Sequence, residues 1–242
     1  MIDVAGLGQY DRSDGPLLPP TAFFAPVQMP DPPAQPSASV LRLRRNRCAI
    51  ENCDDAVDYL AGRLLWPLPP GCSLRAHATA EYRHEGRSIG RFPALVADVV
   101  DIAGELVTCH VTWLSGGKKI EGYPPRKILS PMVGREGCAV RLMPAGPVLG
   151  IAEGIETALS AAIIDDVPVW AALNTSLLMR FEPPPDVTTL RVYADQDEPG
   201  LMAALRLFER LQGRIRVEIR TPRPPHKDFN DQLTAAPEKT HA

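Results

Sequence analysis

From residue 148 onward the apolar positions switch repeatedly between two periods. Val148-Leu149-Gly150-Ile151-Ala152 is a continuous apolar run with the length of a buried strand. Ile155, Ala158, Leu159 and Ala162 then recur at helical spacing, which predicts a helix over 154–164. A strand over 167–173 and a short helix over 176–181 follow, and Pro183-Pro184-Pro185 forces an extended linker. Leu190–Ala194 reads as the central strand. Leu201, Ala204, Leu205, Phe208 and Leu211 mark a helix that Gly213 ends. Residues 214–220 alternate as an exposed strand, and 229–234 form a short last helix. Alternating strands and helices imply an α/β fold, a parallel sheet flanked by helices with right-handed crossovers.

The preceding hundred or so residues have a different rhythm. Ala56, Val57, Leu60, Ala61 and Leu64 predict a helix over 54–64, closed by Pro67, Pro69, Pro70 and Gly71. Residues 91–100 and 106–114 are strand-like, with turns at Gly104-Glu105 and Gly116-Gly117, so hairpins and an antiparallel sheet are expected. Arg42, Arg44, Arg45 and Arg47 form a basic cluster, on an extended piece or a helix start. His110 falls in an apolar strand and reads as a packed core residue, whereas His77 and His84 read as loop residues. The first 39 residues hold eight prolines and no sustained period, which suits a flexible leader in which Phe23 and Phe24 are the only candidate docking residues. The expected organisation is a leader over 1–39, a smaller basic mixed or antiparallel α+β subdomain over 40–146, the α/β domain over 147–236 and a tail over 237–242.

Charge sharpens this division. The net charge is −3, so the whole chain is no general polyanion binder. Yet residues 41–147 carry 15 Lys/Arg against 11 Asp/Glu, and residues 148–242 carry 10 against 14. The five cysteines include no Cys-x-x-Cys pair, which argues against a zinc site and for thiols in a reducing compartment. Met1–Gly15 lacks the basic start and apolar core of an export signal, and no apolar run reaches the roughly twenty residues of a membrane span. A cytoplasmic protein without membrane contact is expected.

The chemistry gathers at the ends of the α/β strands. Glu153-Gly154 ends the first strand, Asp195-Gln196-Asp197 the central one, and Lys227-Asp228-Phe229-Asn230-Asp231 closes the domain. Strand C-terminal ends line up on one edge of a parallel sheet, where such folds place their sites. Asp195 and Asp197 stand two apart and would share a face at a strand end. Clustered carboxylates with little His or Cys nearby point to Mg²⁺ or Mn²⁺. Gly200 permits a tight turn into a helix whose free amides face anions.

Glu-Gly after a first strand and Asp-x-Asp-x-x-Gly after a later one resemble the Toprim domain, a Rossmann-like fold of bacterial primases, topoisomerases and OLD-type nucleases. The wording Ile-Ala-Glu-Gly-Ile-Glu-Thr-Ala-Leu-Ser, Ala-Asp-Gln-Asp-Glu-Pro-Gly and Lys-Asp-Phe-Asn-Asp is most similar to primase-like Toprim proteins of phages, plasmids and other mobile elements. Upstream, a Phe-Pro strand, a glycine turn, a second strand and Arg126-Lys127-Ile128-Leu129-Ser130-Pro131 look like the segment ahead of Toprim in those primases. The resemblance implies Glu153 as acid/base or metal-site residue, Asp195 and Asp197 as the metal pair, and Asp228 and Asp231 as a third acidic motif. It implies Arg126 and Lys127 as phosphate contacts, with Lys118 and Lys119 behind them. Two departures stand out. Thr157 occupies a position where bacterial primases often carry aspartate, the acid being Glu156 instead, about 100° round the helix. The third motif has one extra residue between its acids.

The expected activity is Mg²⁺-dependent synthesis of primers from nucleoside triphosphates on single-stranded DNA, with a helicase or zinc-binding protein as a possible partner. The alternatives are a Toprim nuclease acting on DNA or RNA and a non-catalytic nucleic-acid-binding module. Tyr193 lies within a strand and reads as packing, which disfavours a topoisomerase.

Overall fold

The computed structural model describes residues 36–129 and 137–235. The expected leader before residue 36, Ser130-Pro131 and the tail lie outside these residues.

The first helix, α1 (Ala38–Arg45), begins where the prolines stop. Ser37 caps it by accepting a hydrogen bond from the Val40 amide. Arg42, Arg44 and Arg45 of the basic cluster are therefore helical while Arg47 follows the helix, and Ala38 and Ser39 belong to this helix. A single 3₁₀ turn, Ile50–Asn52, leads into α2 (Asp54–Ala61), whose first turn carries Asp54 and Asp55. Acids there complement the positive end of the helix dipole.

Five antiparallel strands follow: β1 (Arg75–His84), β2 (Arg87–Val100), β3 (Leu106–Ser115), β4 (Lys118–Lys119) and β5 (Arg126–Ile128). The order is β1-β2-β3-β4, and β5 also pairs with β3. His77 and His84 lie in β1, not in loops. The strand's alternation is masked by three small alanines and by a register shift between His77 and Ala80, so its pairing is dictated by β2. Both faces of this sheet are covered. One packs Val40, Tyr82, Val96, Val111 and Trp113 into a small core. The other packs Leu60, Leu95 and Leu114 into a core that continues through Leu149 and Leu159 of the α/β domain.

The α/β domain comprises β6 (Val148–Ala152), α3 (Ile155–Asp165), β7 (Val169–Ala171), α4 (Thr175–Met179), β8 (Thr189–Tyr193), α5 (Glu198–Leu211), β9 (Arg216–Arg220) and α6 (Phe229–Thr234). Its sheet is parallel throughout, in the order β7-β6-β8-β9. Helix α3 packs on β6 and β7 and against α6, while α5 packs on β9 and against α4. Within β6, a Cβ on Gly150 would lie 2.6 Å from both Tyr193 and Val169, so only glycine lets the flanking strands close. The chain leaves β6 for β7 on one side and returns to β8 on the other. The crevice beyond the C-terminal ends of β6 and β8 is therefore the topological switch point, where ligands bind in open α/β sheets. The two sheets are joined through Ala139, which pairs with Val100, and Val140, which pairs with Ala171. Among the described residues no helix is long and apolar enough to cross a membrane.

Candidate functional site

Two residues after β8, Asp195 enters the switch-point crevice. Its Oδ1 accepts a hydrogen bond from the Thr157 hydroxyl at 3.3 Å. Burial, then the neighbouring Asp228, Glu153 and Asp197, push its carboxyl up to about 6, against which the Thr157 bond works. Glu153, directly after β6, is also raised, first by burial and then by Asp197, with Arg126 opposing. Four carboxylates from three chain segments thus repel one another across one crevice.

Local geometry explains how they meet. Strand β8 ends at Tyr193, so Asp195 and Asp197 stand on the following loop and do not share a strand face. Asp197 is instead the N-cap of α5, its Oδ1 accepting from the Gly200 amide at 2.7 Å. A Cβ on Gly200 would lie 2.8 Å from that oxygen, so glycine makes the cap possible. Asp228 caps α6 in the same way through the Asp231 amide. The loop carrying Asp228 is laced to the one after β8: the Gln196 amide donates to the Lys227 carbonyl at 2.9 Å and its side chain to the Pro222 carbonyl at 2.7 Å. Asp231 is exposed in the first turn of α6. Asn230 buries itself beside it, donating to the Arg63 carbonyl and the Ser160 hydroxyl and accepting from the Arg63 guanidinium.

The basic residues divide. Arg126 faces the crevice, lining a cavity of about 260 Å³ with His110, Glu153 and Glu156. Lys127 points to the other face of the antiparallel sheet, donating to the Arg83 carbonyl with its ammonium 4.0 Å from the Tyr82 ring centre. Period-two alternation along β5 imposes this split. Lys118 is exposed at the hairpin tip. Lys119 is not a solvated charge: its Nζ lies 2.7 Å from Glu156 Oε1.

Glu156 carries a network that the sequence did not reveal. It accepts from the Tyr59 hydroxyl at 2.6 Å, and Arg126 lies 3.9 Å away. Burial disfavours its charge, but Lys119, Tyr59 and Arg126 outweigh that and hold the carboxyl at about 2. Tyr59 is raised in return, by burial and by Glu156. His110 is buried, as its apolar strand suggests, and burial holds its imidazole down to about 4. Tyr193 is packing, edge-on to Phe229 with its hydroxyl donating to Asp165 at 2.7 Å.

Among the described residues, no three His, Cys, Asp or Glu side chains converge into a metal-holding group. In donor chemistry the crevice nonetheless suits a hard divalent cation. Its candidate donors are carboxylate oxygens, whose mutual repulsion such a cation would relieve.

Residues 148–238 match the family model described as "Toprim domain", and residues 35–142 match one described as "Domain of unknown function (DUF7146)". A search of the curated proteins finds no match. Among solved structures, the chain is similar to the primase fragment of the bacteriophage T7 primase-helicase protein, at 16% identity, a TM-score of 0.45, and coverage of 72% of this chain and 63% of that one. It is similar to a DNA primase domain from Pseudomonas aeruginosa, at 17% identity, TM-score 0.43, and 64% and 51% coverage. The E. coli primase catalytic core gives 14%, 0.43, and 76% and 57%. The chain thus spans between about half and five-eighths of these proteins' lengths. Residues 148–238 thus match the Toprim domain in sequence, and the parallel sheet in the order β7-β6-β8-β9 is Toprim-like.

Proposed function

We propose that the chain is a primase-like nucleotidyltransferase, joining nucleoside triphosphates into short primers on single-stranded DNA in a Mg²⁺-dependent reaction. The observation that carries this reading is the carboxylate cluster at the Toprim switch point, where Asp195 is pushed up to about 6 by burial and by three other acids. A divalent cation would relieve the repulsion among these acids. Asp195 and Asp197 are the residues to hold Mg²⁺, with Glu153 and Asp228 beside them. When bound, the ion supplies charge stabilisation to phosphoryl oxygens during an in-line displacement.

The chain's own residues do the rest. Arg126 reaches the crevice from β5, half exposed, and meets a phosphate entering beside Glu153. Glu153, raised from its ordinary value by burial and by Asp197, is placed to take a proton from an attacking hydroxyl. The Lys119–Glu156–Tyr59 network holds the antiparallel sheet against α3, which fixes the distance between Arg126 and the acids. The resemblance of the Arg126-Lys127 segment to the region ahead of Toprim in primases supports synthesis over hydrolysis.

The test is primer synthesis on single-stranded DNA with labelled nucleotides and Mg²⁺, comparing the wild type with Asp195→Asn/Asp197→Asn. Labelled oligonucleotides made only by the wild type are expected. Template shortening that needs metal and Asp195 would replace this reading with a nuclease. Template binding with neither reaction would replace it with a binding module.

A further inference from the structure

The outer face of the antiparallel sheet, turned away from the carboxylates, holds a cavity of about 540 Å³. Period-two alternation separates the two sites. Along β5, Arg126 faces the carboxylates and Lys127 this cavity; along β3, His110 faces the carboxylates and Trp113 this cavity. Helix α1 forms one wall, with Arg42 and Leu43, and β1 and β2 form another, with His77 and Arg91.

Four basic side chains line it, Arg42, Arg83, Arg91 and Lys127, against one acid, Glu81. Two of them are already committed. Arg83 is paired with Glu81 at 3.0 Å and with the Gly86 carbonyl, and Lys127 with the Arg83 carbonyl and the Tyr82 ring. Arg42 and Arg91 make no hydrogen bond or ion pair among the described residues. At the floor, Trp113 is 2% exposed, and its indole N–H has no acceptor among the described residues. A buried donor left unpaired is costly, and the group that relieves it is an oxygen acceptor. Unspent guanidinium donors above an apolar floor of Trp113, Leu43 and Leu129 suit a ligand with an anionic end and a flat apolar one. The volume is that of one small-molecule ligand, within the range of about 300–1,000 Å³ for such sites.

We propose that this cavity is a second, metal-independent site for a single nucleoside phosphate, its phosphates held by Arg42 and Arg91 and its base placed over Trp113. Arg42, Arg91 and Trp113 line this cavity and not the carboxylate crevice, so the proposal does not depend on the reading of that crevice. It gives the protein a way to sense nucleotide while the crevice handles metal.

The experiment is fluorescence anisotropy of a ribose-tagged ATP analogue with the full chain in excess EDTA, where the carboxylate crevice cannot recruit nucleotide through a cation. Saturable binding is expected for the wild type and for Asp195→Asn. Arg42→Glu/Arg91→Glu should weaken it about tenfold or more, as loss of two charge-assisted contacts implies. Trp113→Phe keeps the ring but removes the N–H, and should weaken binding about three- to tenfold. Thermal melts establish that each variant is folded; Trp113→Phe carries the test if the double variant is not. No binding by the wild type in EDTA, or binding untouched by these changes, overturns the proposal. So does an oligothymidylate that binds in EDTA through the same arginines while the nucleotide does not, since that makes the occupant a strand backbone.

Discussion

Lys119 Nζ stands 2.7 Å from Glu156 Oε1, joining the tip of an antiparallel hairpin to the first turn of α3. Both side chains are largely buried, at 25% and 15% exposure. Such a pair adds little net stability over an apolar one, but breaking it strands a charge. Lys119→Met should therefore cost about 3–5 kcal/mol in urea unfolding. Lys119→Met combined with Glu156→Leu should recover much of that loss. If the two changes simply add, the pair is not coupled.

The same carboxylate sets an acid limit. Its folded value, about 2, lies below the ordinary 4.5, so its stabilisation is complete above about pH 4.5 and is lost as pH falls towards 2. Glu156→Gln should flatten the acid side of the stability profile between those values, read as melting temperature against pH. A slope there equal to that of the wild type would contradict the assignment.

Asp195 has the opposite sign. Its folded value is raised from 3.8 to about 6, so its contribution is intact below about pH 3.8 and is lost as pH rises through 6. In metal-free buffer at pH 8, Asp195→Asn should be more stable than the wild type by about 1–2 kcal/mol, after allowance for solvent screening of a partly exposed group. Mg²⁺ should raise the melting temperature of the wild type and leave that of Asp195→Asn nearly unchanged. A destabilised Asp195→Asn would mean that its bond to Thr157 outweighs the repulsion.

Glu153 and the Asp195-Asp197 pair were legible in the sequence because they follow strands whose apolar runs are unmistakable, Val148–Ala152 and Leu190–Ala194. What escaped reading depends on contacts between distant segments. Nothing local in Lys118-Lys119 distinguishes a solvated tip from a buried partner; the choice is made when α2 and α3 place Tyr59 and Glu156 around Lys119. Glu156 could be placed about 100° round the helix from Thr157, but its destination needed the second sheet. The opposite facing of Arg126 and Lys127 follows from strand period once β5 is known to be a strand, and a three-residue strand between prolines leaves too weak a pattern to see. The roles of Asp197 and Asp228 as helix caps were in principle readable, since each stands three residues before the amide it binds.

Asn230 ties the α6 acids to the other subdomain. Its side chain donates to the Arg63 carbonyl at 2.9 Å and the Ser160 hydroxyl at 3.1 Å, and it is 7% exposed. Asn230→Ala leaves buried partners short of bonds and should cost about 1–3 kcal/mol. Because Asp228 lies two residues away, primer synthesis should fall more than the folded fraction does. Parallel loss of the two, measured at a temperature where the variant is fully folded, would show that Asn230 serves stability alone.

Asp197 has a structural role as a helix cap and, in the proposed reaction, a chemical one, and two substitutions separate them. As N-cap of α5 its Oδ1 accepts from the Gly200 amide at 2.7 Å, a task that asparagine performs about as well as aspartate. Asp197→Asn should therefore keep stability within about 0.5 kcal/mol while removing the charge that a cation needs. Asp197→Ala removes both and should lose about 1 kcal/mol in addition to activity. Gly200→Ala tests the same joint from the other side. Its new Cβ, 2.8 Å from the capping oxygen, must push Asp197 out of place without altering any charge. Synthesis by Gly200→Ala should fall towards that of Asp197→Asn, with a weaker response of melting temperature to Mg²⁺. Full activity in Asp197→Asn would remove this residue from the metal pair and leave it as a cap, with Asp195, Glu153 and Asp228 to carry the chemistry.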